Sequence, residues 1–163
     1  MSYLGLDEKK TANTVKELNI LLADYHLYYQ NLRNFHWNVI GKNFFVLQEK
    51  FEELYDDAKL KVDDIAERIL TLRFQPTSNL SDYLKASNIK ESESDISDSK
   101  MIAILLDDHG TLLKQMRKVI DIAEKGGDEG TIDLIGAYIR ELEKTSWMLD
   151  AWKMKTSESL KPV

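Results

Sequence analysis

Apolar residues at Leu18, Leu21, Leu22, Tyr25, Tyr28, Tyr29, Leu32 and Phe35 recur three and four positions apart, the mark of one buried stripe on an α-helix. The spacing predicts a first long helix over roughly 8–37. Residues 38–43, with Gly41, break the pattern. Asn43 is then placed to cap a second helix whose stripe is Phe44, Leu47, Phe51, Leu54, Ala58, Val62, Ile65, Ile69 and Leu72. That helix must end before Pro76. The segment 76–98 is Ser-rich and acidic and reads as a crossover, with room for a helical turn or two over 81–86. A third helix follows over about 99–124, striped by Ile102, Leu105, Leu112, Met116, Val119 and Ala123 and stopped by Gly126 and Gly127. Asp128 or Thr131 can cap a fourth, with Ile135, Tyr138, Ile139, Leu142, Leu149 and Trp152 at core spacing.

Two short turns and one long connection between four long helices predict an all-α, four-helix bundle with a short extra helix in the crossover between helices 2 and 3, the connectivity of ferritin-like folds. No strand pattern, internal repeat or dividing linker competes, so 1–163 reads as a single domain with short tails. The start of the chain lacks the apolar core of a signal peptide. The longest apolar run, residues 101–106, is far below the ~18 that suggest a membrane span. These features predict a soluble, cytoplasmic protein.

Composition narrows the chemistry. There is no Cys among the 163 residues, which excludes disulfides, thiolate metal sites and a Cys nucleophile. The net charge of −6 is concentrated: between Gln48 and Glu67 stand Glu49, Glu52, Glu53, Asp56, Asp57, Asp63, Asp64 and Glu67, against Lys50, Lys59 and Lys61. Such a helix carries either a solvated face or carboxylates awaiting a cation.

Residues four apart share a helix face, which pairs Gln48 with Glu52 and Asp63 with Glu67. At ~100° per residue, the eleven steps from Glu52 to Asp63 come to about 1100°, only ~20° from three full turns, so all four point one way. Along the axis, however, Glu52 and Asp63 are about 16 Å apart, too far to share one ion. Two copies of the helix paired antiparallel about a two-fold axis bring Glu52 of one opposite Asp63 and Glu67 of the other. This predicts a homodimer with a site shared between subunits. His36, beside Trp37 at the end of the first helix, can join it. Hard carboxylates with one imidazole suit iron(II) or manganese better than zinc. His26 and His109 read as structural histidines. No Glu stands three residues before any His, which disfavours a di-iron site built within one bundle. Zincin, dinucleotide and P-loop signatures are absent.

The run Asn34-Phe-His36-Trp37-Asn38-Val39-Ile-Gly41, then Phe51-Glu52-Glu53-Leu54-Tyr55, then Asp63-Asp64-Ile65-Ala66-Glu67-Arg68-Ile69 closely resembles the Dps family, the starvation-induced mini-ferritins. The likeness extends through Tyr83 to Asp128, Thr131 and Asp133 and on to Trp147-Met148-Leu149. It implies a hollow dodecamer built from two-fold dimers. It implies oxidation of Fe(II) with hydrogen peroxide or O2, and storage of the ferric mineral against oxidative damage. Its ligands would be His36 and Glu52 from one chain with Asp63 and Glu67 from the other, a two-iron site with Trp37 as the adjacent aromatic. Asp128 and Asp133 match positions that line iron-admitting three-fold pores in the family, and N-terminal capping is the plainer role for them.

One position departs from the family pattern. Where a second His is usual, this chain has Gln48, whose neutral amide is the poorer donor, so the second iron should be weakly held. The alternative reading is therefore a DNA-compacting or structural helical oligomer with weakened ferroxidase activity. The tails argue against strong DNA binding: Lys9, Lys10 and Lys16 are balanced by acids, and only Lys153, Lys155 and Lys161 follow Trp152. Weak or no DNA binding is expected at physiological salt, with nucleoid association dependent on it.

Overall fold

A computed structural model of the chain describes residues 2–154 and 158–163. Its helices are α1 (Glu8–Asn38), α2 (Phe44–Thr71), the short α3 (Leu80–Ala86), α4 (Asp98–Gly126) and α5 (Glu129–Lys153), and the described residues contain no strand. The predicted boundaries agree to within a residue or two, and α2 ends at Thr71, before Pro76 as expected.

The stripes are buried as the periodicity predicts. Leu18, Leu21, Leu22, Tyr25, Leu32 and Phe35 of α1 pack against Leu47, Phe51, Ile65 and Ile69 of α2 and Ile102, Leu105, Leu112 and Met116 of α4 in one core. Helix α1 is central, contacting α2, α3 and α4, while α4 also packs on α5. Centrality explains its second buried face, which is polar: Asp24 and Asn31 grip the crossover. Asp24 Oδ1 accepts from the Asn88 N–H at 2.6 Å and the Ser87 hydroxyl at 3.0 Å. The Asn31 amide donates to the Lys90 carbonyl and accepts from the Ser92 N–H, both at 3.0 Å. The Ser-rich segment is thus laced to α1 by its own backbone groups, which satisfies them away from a regular element.

Two terminal expectations need revising. Asn43 occupies the N-cap position of α2 but makes no capping bond. Its amide instead donates to Asp98 Oδ2 at 2.8 Å, tying the start of α2 to the start of α4. Of the two glycines, Gly126 remains inside α4 and Gly127 ends it, in the left-handed region at φ 67°. The Asp128 N–H then reaches back to the Ala123 carbonyl and the Gly127 N–H to Glu124, a Schellman closure.

The α2–α5 seam is built by long polar side chains. Lys61, only 5% exposed, lies between Asp57 and Glu141 at 2.6 and 2.9 Å, its ammonium 5.1 Å from the Tyr138 ring centre. The Tyr138 hydroxyl donates to Asp64 at 2.8 Å. Burial, together with the Asp64 carboxylate that accepts its proton, holds this phenol far above the ordinary tyrosine range. Farther along, Arg68 reaches Asp128 and Thr131.

Candidate metal centre

His36 lies in the last turn of α1, where Phe35 packs into the core and the next residue is left half-buried at the rim. Its Nδ1 lies 2.8 Å from the main-chain carbonyl of Gln48 on α2. A carbonyl only accepts, so Nδ1 carries the hydrogen and donates it, which leaves Nε2 as the nitrogen turned toward a ligand, the orientation a metal-binding imidazole needs. The Tyr55 ring stands edge-on behind it, centroids 5.3 Å apart at 88°. Partial burial, then the charges of Glu52 and Asp56, raise the Tyr55 phenol above its ordinary pKa and keep it neutral.

The acids of α2 divide by what they touch. Glu53 pairs with Lys50 at 2.8 Å, Asp57 with Lys61, and Asp64 accepts from Tyr138. These off-stripe carboxylates are engaged within the subunit. Glu52, Asp63 and Glu67 are exposed, and their carboxylates have no hydrogen-bond or ion-pair partner among the described residues. The Coulomb cost of leaving three anions unpaired on one face is small in water but rises when that face is covered. A cation there removes it.

Within one chain the described residues contain no group of three or more His, Asp or Glu placed to hold a metal ion. Of the four predicted ligands, Glu52 and Asp63 are separated by about 16 Å along α2 by helix rise. The donors suit Fe(II): an oriented imidazole and uncommitted hard carboxylates.

Trp37 follows His36 but is 61% exposed, with the Arg33 guanidinium 5.0 Å from its ring centre and 4.9 Å from that of Tyr29. Asp128 is buried with its carboxylate turned inward. It caps α5 through the Thr131 N–H at 3.1 Å, accepts the Thr131 hydroxyl at 2.6 Å, and pairs with Arg68. Capping is thus its structural role, while Asp133 stands exposed one turn on.

The other histidines are structural. In His109 the Nε2 lies 2.7 Å from the Tyr28 hydroxyl and Nδ1 lies 2.7 Å from Ser146 Oγ, whose hydroxyl donates to the Leu142 carbonyl. A neutral ring with hydrogen on Nδ1 satisfies every group in this chain, and burial drives its pKa down to about 4. His26 stacks on Tyr83 at 3.9 Å, and burial likewise lowers its pKa. The residues missed by sequence reasoning are Tyr55, Lys61 and Arg68. Tyr55, one turn beyond Glu52, was the one with a legible spacing.

Comparison with known proteins agrees with this fold. The ferritin-like domain model matches residues 15–158. The DNA protection during starvation protein of Porphyromonas gingivalis is 40% identical over 155 residues, covering 95% of this chain and 98% of that protein. The Dps crystal structure from Vibrio cholerae O1, described as a member of the ferritin-like diiron-carboxylate superfamily, superposes with a TM-score of 0.92 at 45% identity, covering 94% of this chain and 97% of that one. Dps from Staphylococcus aureus gives a TM-score of 0.86 at 37% identity, covering 88% and 97%. With its bundle, its crossover helix and its divided carboxylate stripe, the chain belongs to the Dps family of ferritin-like proteins.

Proposed function

We propose that this protein is a ferroxidase and iron store, oxidising Fe(II) with hydrogen peroxide or O2 at sites shared by two copies and holding the Fe(III) product inside a closed shell of twelve. One observation carries the reading: Glu52, Asp63 and Glu67 share one stripe of α2 with no partner for their carboxylates among the described residues, and His36, at the end of α1, is oriented by the Gln48 carbonyl, yet Glu52 and Asp63 stand about 16 Å apart, so a single chain cannot join them. In the two-fold pair, His36 and Glu52 of one copy and Asp63 and Glu67 of the other bind Fe(II), which is the substrate. Anionic oxygen donors stabilise the higher charge of Fe(III) and so favour electron loss at the site. Gln48 offers a neutral oxygen to a second, weaker iron position. Trp37 borders the site as an aromatic neighbour, and Asp133 is the carboxylate available to an entry pore.

Apolar residues left on the surface support assembly. Phe45 is 83% exposed and Leu80 76%, with Trp37, Ile40, Leu60 and Trp147 also bare, apolar surface that assembly would cover. None of the helices among the described residues is long and apolar enough to cross a membrane. The net charge of −6 supports weak or no DNA binding.

The test is Fe(II) addition with peroxide to the purified oligomer. Fe(III) should form faster than with an Asp63→Ala, Glu67→Ala variant. Because the site is shared, co-assembling His36→Ala chains with that double variant should restore intact sites in mixed dimers. Equal rates in wild type and double variant would sink the reading.

A further inference from the structure

Two rows of side chains run along α2 on the face that carries the candidate ligands. Phe45, Glu52 and Lys59 stand seven residues apart, as do Asp56, Asp63 and Leu70. Seven residues fall within ~20° of two full turns, and the step from Glu52 to Asp56 offsets the rows by only ~40°, so together they form one seam of the kind that pairs helices. The seam begins and ends on apolar residues: Phe45 is 83% exposed and Leu70 56%. Its middle is charged. Lys50 is engaged by Glu53, and Lys61 by Asp57 and Glu141. Asp56 and Lys59 are exposed and have no hydrogen-bond or ion-pair partner among the described residues.

This order of residues is complementary to its own reverse. With a two-fold axis passing between Asp57 and Ala58, Phe45 of one copy lies opposite Leu70 of the other, Glu52 opposite Asp63, and Asp56 opposite Lys59. Apolar residues meet at both ends, opposite charges meet twice at the centre, and the acids left facing each other are those that share a cation. Neighbouring registers lose this match. Lys59 opposite Glu52 sets Asp63 against Gln48 and carries Leu70 beyond Phe44, where α2 begins. Lys59 opposite Asp63 sets the Glu52 carboxylate against Leu70 and carries Phe45 beyond Thr71, where α2 ends.

We infer that Lys59 and Asp56 set the register of α2 against a second copy of this chain: each Lys59 ammonium pairs with the Asp56 carboxylate of the other copy and so places Glu52 opposite Asp63. The inference rests on the two-fold sharing proposed above and adds the residues that align it. Opposite charges facing across an antiparallel seam favour one alignment, and like charges disfavour the others. A slipped pair would also cover an unmatched ammonium or carboxylate, which costs more than a matched pair gains. Lys59 and Asp56 touch no iron in this scheme; they are positioning residues that act through Glu52 and Asp63.

The experiment uses the metal-free full chain, with association followed by sedimentation velocity and helix content by circular dichroism. Lys59→Glu sets like charges opposite each other at both central contacts, as does Asp56→Lys, and each should weaken pairing by about tenfold or more. Mixing the two variants restores opposite charges at both contacts of a mixed dimer and should recover wild-type association, as should the double reversal Asp56→Lys, Lys59→Glu within one chain. The chain has no Cys, so the register itself is read by mixing Glu52→Cys with Asp63→Cys chains under mild oxidation. A disulfide-linked pair should form, and should fall several-fold when Lys59→Glu is added to both. Either reversal associating like wild type, or a mixture that fails to recover, overturns the inference. Fe(III) formation in wild type tests the ferroxidase reading apart from it: acceleration without rescue in the mixture overturns the register pair alone, and rescue without acceleration overturns the ferroxidase reading alone.

Discussion

The Nδ1–H of His36 donates to the main-chain carbonyl of Gln48 across 2.8 Å. The contact uses the backbone of Gln48, so its side chain can be exchanged without disturbing the orientation of His36. Gln48→His should therefore change metal stoichiometry alone. Calorimetric Fe(II) titration under anaerobic conditions should find one firm iron per site in wild type and a second of comparable affinity in the variant. Two equally tight irons in wild type, unchanged by the substitution, would contradict a weak second position.

Burial lowers the His109 pKa to about 4 from the ordinary 6.5. The unfolded chain takes up a proton near 6.5 that the folded ring refuses until about 4. The stabilisation from the neutral ring is thus fully present above 6.5 and is lost as pH falls toward 4. His109→Gln can keep an acceptor for Tyr28 and a donor for Ser146, and should flatten this acid limb. Urea unfolding at pH 7 and pH 5 should show a loss in wild type of about 1–2 kcal/mol that is reduced in the variant. Parallel losses in both proteins would place the acid sensitivity elsewhere.

A methyl group on Gly130 would lie 2.8 Å from Arg68 Nη2 and 3.0 Å from Nη1. The end of an arginine normally swings aside, but this one is held by Asp128 and Thr131. Gly130→Ala should therefore destabilise by about 1–3 kcal/mol. In an Arg68→Ala background the same change should become neutral or mildly stabilising, since alanine suits a helix better than glycine. The double-mutant cycle of midpoint shifts tests it; equal effects in both backgrounds would show that the guanidinium is not the obstacle.

These relationships mark what can be read from sequence. Four helices were legible because stripes such as Leu18 to Phe35 repeat over several turns, and the long stretch 76–98 could only be a crossover. The stripe Gln48, Glu52, Asp63 and Glu67 was legible because helical angles accumulate predictably. Lys61 was not: a lysine among acids reads as surface charge, and its burial depends on Glu141 and Tyr138, nearly eighty residues away. Asn43 holds the N-cap position without a capping bond, and its amide nitrogen donates to Asp98, a partner distant in sequence. Asp128 carries the same cap chemistry whether it faces a pore or Arg68, and only the fold decides.

Asp108 on α4 is a carboxylate with one side-chain donor, the Asn31 amide at 3.1 Å, and it lies almost wholly buried. Desolvation exceeds the help from Asn31, and the charges of Asp107 and Asp24 add to it, so the pKa rises from 3.8 to about 7. A raised acid binds its proton more tightly when folded. Its contribution is fully present below about 4 and is lost as pH rises through 7, opposite in sign to His109. Asp108→Asn keeps an oxygen for Asn31 and never ionises. Thermal unfolding should therefore find the variant gaining on wild type by about 1–3 kcal/mol between pH 4 and pH 8. The crossover reports the same event, because Asn31 also holds the Lys90 carbonyl and the Ser92 N–H. Amide exchange at Ser92 should slow in the variant at pH 8 relative to wild type. A pH-independent difference between the two proteins would mean that Asp108 is ionised throughout and that its burial is compensated by another group.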